Sequence, residues 1–198
     1  MIKLERLPLE SITVNSSFGL RDITIGGKTY WWHNGIDLKA DSGTPVYAVA
    51  EGTVKAAVSN QDSYGIYIAI DHGDFGTLYA HLSSYAVAVG QTVNAGDIVG
   101  YSGQTGAVTA PHLHFEIRVC RYNNFWDRCA CDSGVFMRCV DPKIYLDDYA
   151  ERASDISVDS AINIVKKSAG LEDKTIDYMV NDYKFGEALI TKLAKAIK

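Results

Sequence analysis

The chain has 198 residues, 47% hydrophobic and 22% charged, with a net charge of −5. That composition excludes a disordered chain, and the length allows a domain of about 150 residues with a packed core plus a small appendage. The negative balance excludes a binder held by phosphate neutralisation, so no nucleic-acid partner is expected.

No run of 18 apolar residues is present, so no membrane insertion is expected. The opening "MIKLERLPLE" lacks the apolar stretch of a secretory signal peptide. Up to about residue 118 the signals are strand and turn. "TPVYAVAEGTVKAAVS" is rich in Val and Ala with a Gly at its bend. "YGIYIAIDHG" alternates, with Ile66, Ile68 and Ile70 on one face and Tyr67, Ala69 and Asp71 on the other. "GTLYAHLSS" follows a turn of Gly and Asp, and "VGQTVNAGDIVGYSGQTG" carries closely spaced glycines that mark tight turns. No helical period is read before residue 150, which argues against β-α alternation. The expected fold is mainly β: an antiparallel sheet or partly open β-barrel with a small α-helical C-terminal appendage.

The composition changes near 151–157, and residues 151–198 hold as many basic as acidic residues, so the net charge lies in residues 1–150. The expected division is a domain over 1–150 and a small helical module over 157–198. In the tail, Val158, Ala161, Ile162 and Val165 recur at helical spacing, with Ser157 as a cap and Gly170 as a stop. Further amphipathic segments follow Thr175 and run through "GEALITKLAKAIK". So short a module is expected to dock on the β domain or to self-associate.

The chemistry concentrates in "TAPHLHFEIR". In a strand His112, His114 and Glu116 share one face, while Leu113, Phe115 and Ile117 point into the core. A lone buried His is usually a satisfied core residue, but two at this spacing point to a metal or a catalytic pair. Partners come from "WWHNGIDLKA", where Asp37 follows His33 by four residues, and from His81 in "LYAHLSS". A catalytic zinc takes three protein ligands and keeps an open position. The set His33, Asp37, His81, His112 and His114 holds three ligands and leaves two groups for proton transfer. His72, at a strand end in "DHGDFG", reads as structural, and Glu116 as a hydrogen-bonding or orienting partner. Arg21 is a possible partner for an acid near the site.

These motifs resemble the lysostaphin/LytM-type zinc endopeptidases of peptidoglycan. The resemblance rests on His33–Asp37, on Tyr79–Leu82 and on His112–His114. Its flanks are "SSFGLRD", "GIDLKADSGTPVYAVAEGTV", "GDIVGYSGQTG" and "DPKIYL", so it covers roughly residues 12–148. It implies one catalytic Zn2+ held by His33, Asp37 and His114. It also implies His81 and His112 as general base and transition-state stabiliser. The implied activity is hydrolysis of peptide bonds in cell-wall peptidoglycan, and the missing signal, compact size and added helical tail fit a phage or prophage endolysin with antimicrobial action. Such an enzyme would be released from the host cytoplasm through a pore or carried on a virion. The alternative is a cell-wall-binding or activator module of the same fold that does not cut; the complete residue set weighs against it.

The departure from the family pattern is residues 119–140, an insertion that holds Cys120, Cys129, Cys131 and Cys139. Two disulfides with three possible pairings, a second structural metal, or buried thiols are the readings of this segment. Disulfides require an oxidising location.

Overall fold

The computed structural model describes residues 2–59, 63–119, 139–154, 162, 165 and 166. Its strands are β1 (Val14–Ser16), β2 (Gly19–Ile25), β3 (Lys28–His33), β4 (Ile36–Leu38), β5 (Pro45–Tyr47), β6 (Gly52–Val58), β7 (Ile66–Asp71), β8 (Gly76–Tyr85), β9 (Thr92–Val93), β10 (Ile98–Ser102), β11 (Leu113–Arg118) and β12 (Cys139–Val140). The main sheet runs β1-β4-β11-β8-β7-β6-β9, with β10 bridging β5 and β8, and β12 beside β11. β2 and β3 form a separate two-stranded ribbon. Every pairing is antiparallel. The expected mainly-β antiparallel architecture is what forms, as an open sheet.

The core lies under the apolar face of the central strands. Tyr79 from β8, Ile68 and Ile70 from β7, and Leu113, Phe115 and Ile117 from β11 are fully buried. Each large side chain contributes roughly 1.5–3 kcal/mol through its removal from water. The Tyr79 and Phe115 rings meet at 5.4 Å, and the Tyr79 hydroxyl accepts from the Val49 backbone N–H at 3.2 Å, so no polar atom is stranded there. The opposite face of β11 presents His114, Glu116 and Arg118, all buried as well. A strand buried on both faces with three ionisable groups on one of them requires those groups to satisfy one another.

A helix, α1 (Pro142–Ser154), corrects the expectation that no helix begins before residue 150. Its start is chemically specified. Pro142 takes a first-turn position where its missing N–H costs nothing, and the Asp141 Oδ1 caps the Lys143 N–H at 2.9 Å. Tyr145, Leu146 and Tyr149, at helical spacing, pack on the core. Their period spans barely two turns, too short to stand out beside the strand-rich sequence before it.

The chain divides into units 1–149 and 150–198. In the second unit Ile162, Val165 and Lys166 are helical and Val165 is buried. The remaining tail expectations lie outside the described residues, as do Cys120, Cys129 and Cys131. Cys139 is buried in β12, paired across from Arg118.

Gly35 fixes the approach of the β3–β4 turn to β11. A Cβ there would lie 2.2 Å from the Phe115 carbonyl oxygen and 2.9 Å from Glu116 Cγ. Gly35→Ala is therefore expected to lower stability by about 1–3 kcal/mol, as other overpacking substitutions do. Urea denaturation checks this: the midpoint falls, and an unchanged midpoint would show that the turn does not press on the strand.

Candidate metal centre

Register brings the acid and one imidazole together. His114 on β11 pairs directly with Asp37 on β4 and with Ala80 on β8. His33, the last residue of β3, reaches the same point over the Asn34–Gly35 turn. The result is a near-equilateral triangle of atoms. His33 Nε2 lies 3.1 Å from Asp37 Oδ1, Asp37 Oδ1 lies 3.0 Å from His114 Nδ1, and the two nitrogens are 3.0 Å apart.

The other ring nitrogens decide what this triangle is. His33 Nδ1 lies 2.8 Å from the Ser17 carbonyl, which only accepts, so Nδ1 carries the proton and Nε2 faces the site bare. His114 is bonded at its far side, Nε2 to Glu116 Oε1 at 3.0 Å, which leaves Nδ1 facing inward. Three acceptors thus converge with no donor among them, an arrangement that positive charge must hold together. Two nitrogens and one carboxylate oxygen are a zinc donor set, not a calcium or magnesium one. Tetrahedral zinc bonds of about 2.0–2.1 Å place donors about 3.3 Å apart, close to what is seen. Among the described residues this is the cluster suited to a metal ion.

The electrostatics agree. Burial alone would push the Asp37 carboxyl up, but the imidazoles of His112, His114 and His33 around it hold it far below the usual carboxylate range. Burial pushes His114 down, but its bonds to Asp37 and Glu116 outweigh this and raise it to about 9. A pocket that favours a proton on His114 favours cationic charge at that point, and a metal ion binding there would displace the proton. Arg21 Nη1 sits 3.3 Å from Asp37 Oδ2, on the carboxylate oxygen turned away from the triangle.

His81 and His112 stand beside the triangle, their rings 4.8 Å apart. His81 Nδ1 donates to the Thr105 carbonyl at 2.9 Å, and His112 Nδ1 to the Ala110 carbonyl at 2.9 Å, which leaves each Nε2 as the free face. His112 Nε2 is 3.5 Å from Asp37 Oδ1. His81 owes its place to a β-bulge: the step from Ile66 to Ile68 on β7 faces the longer step from Tyr79 to Leu82 on β8. Its φ of 61° is the one positive value at a non-glycine among the described residues. A bulky side chain in that region is strained and is held only because its surroundings over-determine it. The Tyr64 carbonyl holds its N–H at 2.9 Å, and Thr105 Oγ1 bonds both the Leu82 carbonyl and the Ile66 N–H. Burial, then the neighbouring His114 and His112, drive His81 down to about 3.

A cleft opens over these groups, lined by Arg21, Tyr30, Trp32, Asn34, Tyr64 and His81. Trp31, between two lining residues, is 64% exposed instead. His72 lies apart, bonded to the Glu51 carbonyl and Thr77 Oγ1, both at 2.8 Å, as its structural reading expects. Sequence reasoning did not find Tyr64 or Thr105. Neither belongs to a His or acid motif, and a glycine neighbour was the only signal at either.

The Peptidase family M23 model matches residues 32–126, the span that holds the triangle and both flanking imidazoles. The catalytic domain of lysostaphin from Staphylococcus simulans is 32% identical, with a TM-score of 0.56, over 69% of this chain and 92% of that one. The chain belongs to peptidase family M23. A zinc-containing peptidase from Vibrio cholerae is 30% identical, with a TM-score of 0.56, over 71% of this chain and 39% of that one. The peptidoglycan DD-endopeptidase ShyA of Vibrio cholerae is 40% identical over 117 residues, 58% of this chain and 27% of that protein. The chain spans between 18% and 27% of the length of the first curated relatives it matches. The donor set of this centre suits zinc, and one of these similar structures is a zinc-containing peptidase.

His81 makes stability depend on pH in a definite sense. Its value in the fold lies below the ordinary 6.5, so the unfolded chain binds the extra proton. The stability this His confers is present above pH 6.5 and is lost as pH falls toward about 3. Asn tolerates positive φ, so His81→Asn is expected to fold and to show a flatter decline below pH 6.5 than the parent. Parallel urea-midpoint profiles for the two would show that His81 titrates normally.

Proposed function

We propose that the chain is a zinc-dependent endopeptidase that hydrolyses peptide bonds in bacterial peptidoglycan. The observation that carries this reading is the triangle of bare acceptors with two free imidazole Nε2 atoms at its edge. The names of the relatives, a peptidoglycan DD-endopeptidase and an antimicrobial peptidase, support the substrate class.

In this reading His33 through Nε2, Asp37 through Oδ1 and His114 through Nδ1 hold the metal. When bound, zinc supplies a lowered pKa for water, from 15.7 to about 7, and Lewis-acid polarisation of a carbonyl. His81, kept neutral by burial, accepts at Nε2 the proton of the attacking water. It then returns that proton to the leaving amine, and its bond to the Thr105 carbonyl holds the ring in the accepting tautomer. His112 Nε2, on the Asp37 side, faces the charge that develops on the carbonyl oxygen. Tyr30, Trp32, Asn34 and Tyr64 form walls along which an extended peptide lies.

The narrower reading is a lytic enzyme, of the kind a phage or prophage deploys against the wall, and the likeness to lysostaphin supports it. Residues 1–150 then form the zinc endopeptidase domain and 157–198 a separate helical module that docks or self-associates. The division of the chain at Tyr149 supports that organisation.

Purified protein is expected to bind one zinc per chain and to clear cell-wall suspensions. A chelator should stop cleavage and zinc should restore it; clearing unaffected by metal removal would sink the reading. His81→Ala and His112→Ala should each lower kcat/KM by about 10²–10⁴ while zinc content stays at one. Mass analysis of defined muropeptide digests then identifies the bond cut. Lysis of intact cells by added protein, against cleavage of isolated sacculi alone, tests the lytic role.

A further inference from the structure

Glu116 is fully buried on the same face of β11 as His114. Both of its oxygens are committed. Oε1 accepts from the Tyr64 hydroxyl at 2.6 Å and faces His114 Nε2 at 3.0 Å. Oε2 accepts from Arg118 Nε at 2.7 Å and Arg118 Nη2 at 2.6 Å, a two-pronged pair. A buried ion pair by itself is weak evidence of purpose. Here one oxygen of the pair is spent on the imidazole nitrogen opposite the one in the triangle.

The geometry points to Glu116 as a positioning residue for the metal centre, acting through His114 and anchored by Arg118 and Tyr64. A carboxylate behind a ligand imidazole fixes its tautomer and ring orientation and raises its basicity. Glu116 keeps the His114 proton on Nε2, so that Nδ1 meets His33 Nε2 and Asp37 Oδ1 as a bare donor. Arg118 supplies the counter-charge of this fully buried carboxylate and fixes Oε2. Tyr64, whose ring also lies 5.6 Å from that of His114, fixes the direction of Oε1. This role rests on the zinc-endopeptidase reading, since it assigns His114 as a ligand.

Glu116→Gln alone would leave Arg118 buried without its charge partner and would confuse folding with positioning. The test therefore removes both charges. The double variant Glu116→Leu/Arg118→Met deletes the acceptor, and Glu116→Gln/Arg118→Gln keeps a neutral acceptor for His114 Nε2–H. Zinc affinity is read by competition with a chromophoric chelator, and folding by thermal melting of the metal-free forms. The Leu/Met variant is expected to bind zinc about 10–100-fold more weakly than the parent, and the Gln/Gln variant to recover most of that loss. In the zinc-loaded parent, nitrogen NMR of the imidazoles should place the His114 proton on Nε2, a readout that needs no variant to fold. A folded Leu/Met variant with parental affinity overturns the role of Glu116 alone, as does a His114 proton on Nδ1. A parent that binds no zinc overturns the endopeptidase reading as well.

Discussion

One carboxylate oxygen organises this protein. Asp37 Oδ1 lies within 3.5 Å of nitrogens from His33, His112 and His114, which come from two separate stretches of the chain. In a buried pocket such a meeting of acceptors is unfavourable unless positive charge joins them. The surroundings are built to supply and hold that charge: a proton on His114 is favoured, and Arg21 occupies the other Asp37 oxygen. A metal ion bound there would supply that charge in place of the proton.

The rest of the fold serves that convergence. Two glycine-dependent or strained features do the close positioning. Gly35 lets the β3–β4 turn lie against the β11 backbone, which sets the reach from His33 to Asp37. The bulge in β8 swings His81 out of the regular alternation and towards His112 and His114. Both features set stability against placement, and the well-packed core beneath, with Tyr79 and Phe115 at its centre, supports them. The pattern of ring protons is equally deliberate in its physics. His33, His81 and His112 are each pinned by a backbone carbonyl at Nδ1, and His114 alone is pinned at Nε2 by a side chain.

That exception explains why the polar face of β11 is continuous. His114, Glu116 and Arg118 alternate along it as a chain of charge compensation running from the triangle to the β12 edge, where Cys139 Sγ lies 3.9 Å from Glu116 Oε2. The last of the four cysteines therefore sits against this chain of charges.

The sequence by itself determined the fold class, the family and the identity of the five residues around the centre. Strand alternation and histidine spacing are local, and five histidines leave few combinations. The helix from Pro142 escaped it because its apolar period spans barely two turns. Pairings between distant residues were decided by the tertiary structure. Glu116 could be placed on the face of His114 from the strand period, but its bond to Tyr64, 52 residues away, depends on how the segment leading into β7 meets β11. The pairing of Arg21 with the outer oxygen of Asp37 depends on how the β2–β3 ribbon meets the sheet. The strained backbone of His81 was equally hidden, since a bulge is a mismatch between two strands and neither strand's sequence records it. Register, bulge and burial belong to pairs of segments, and so they exist only once the chain has folded.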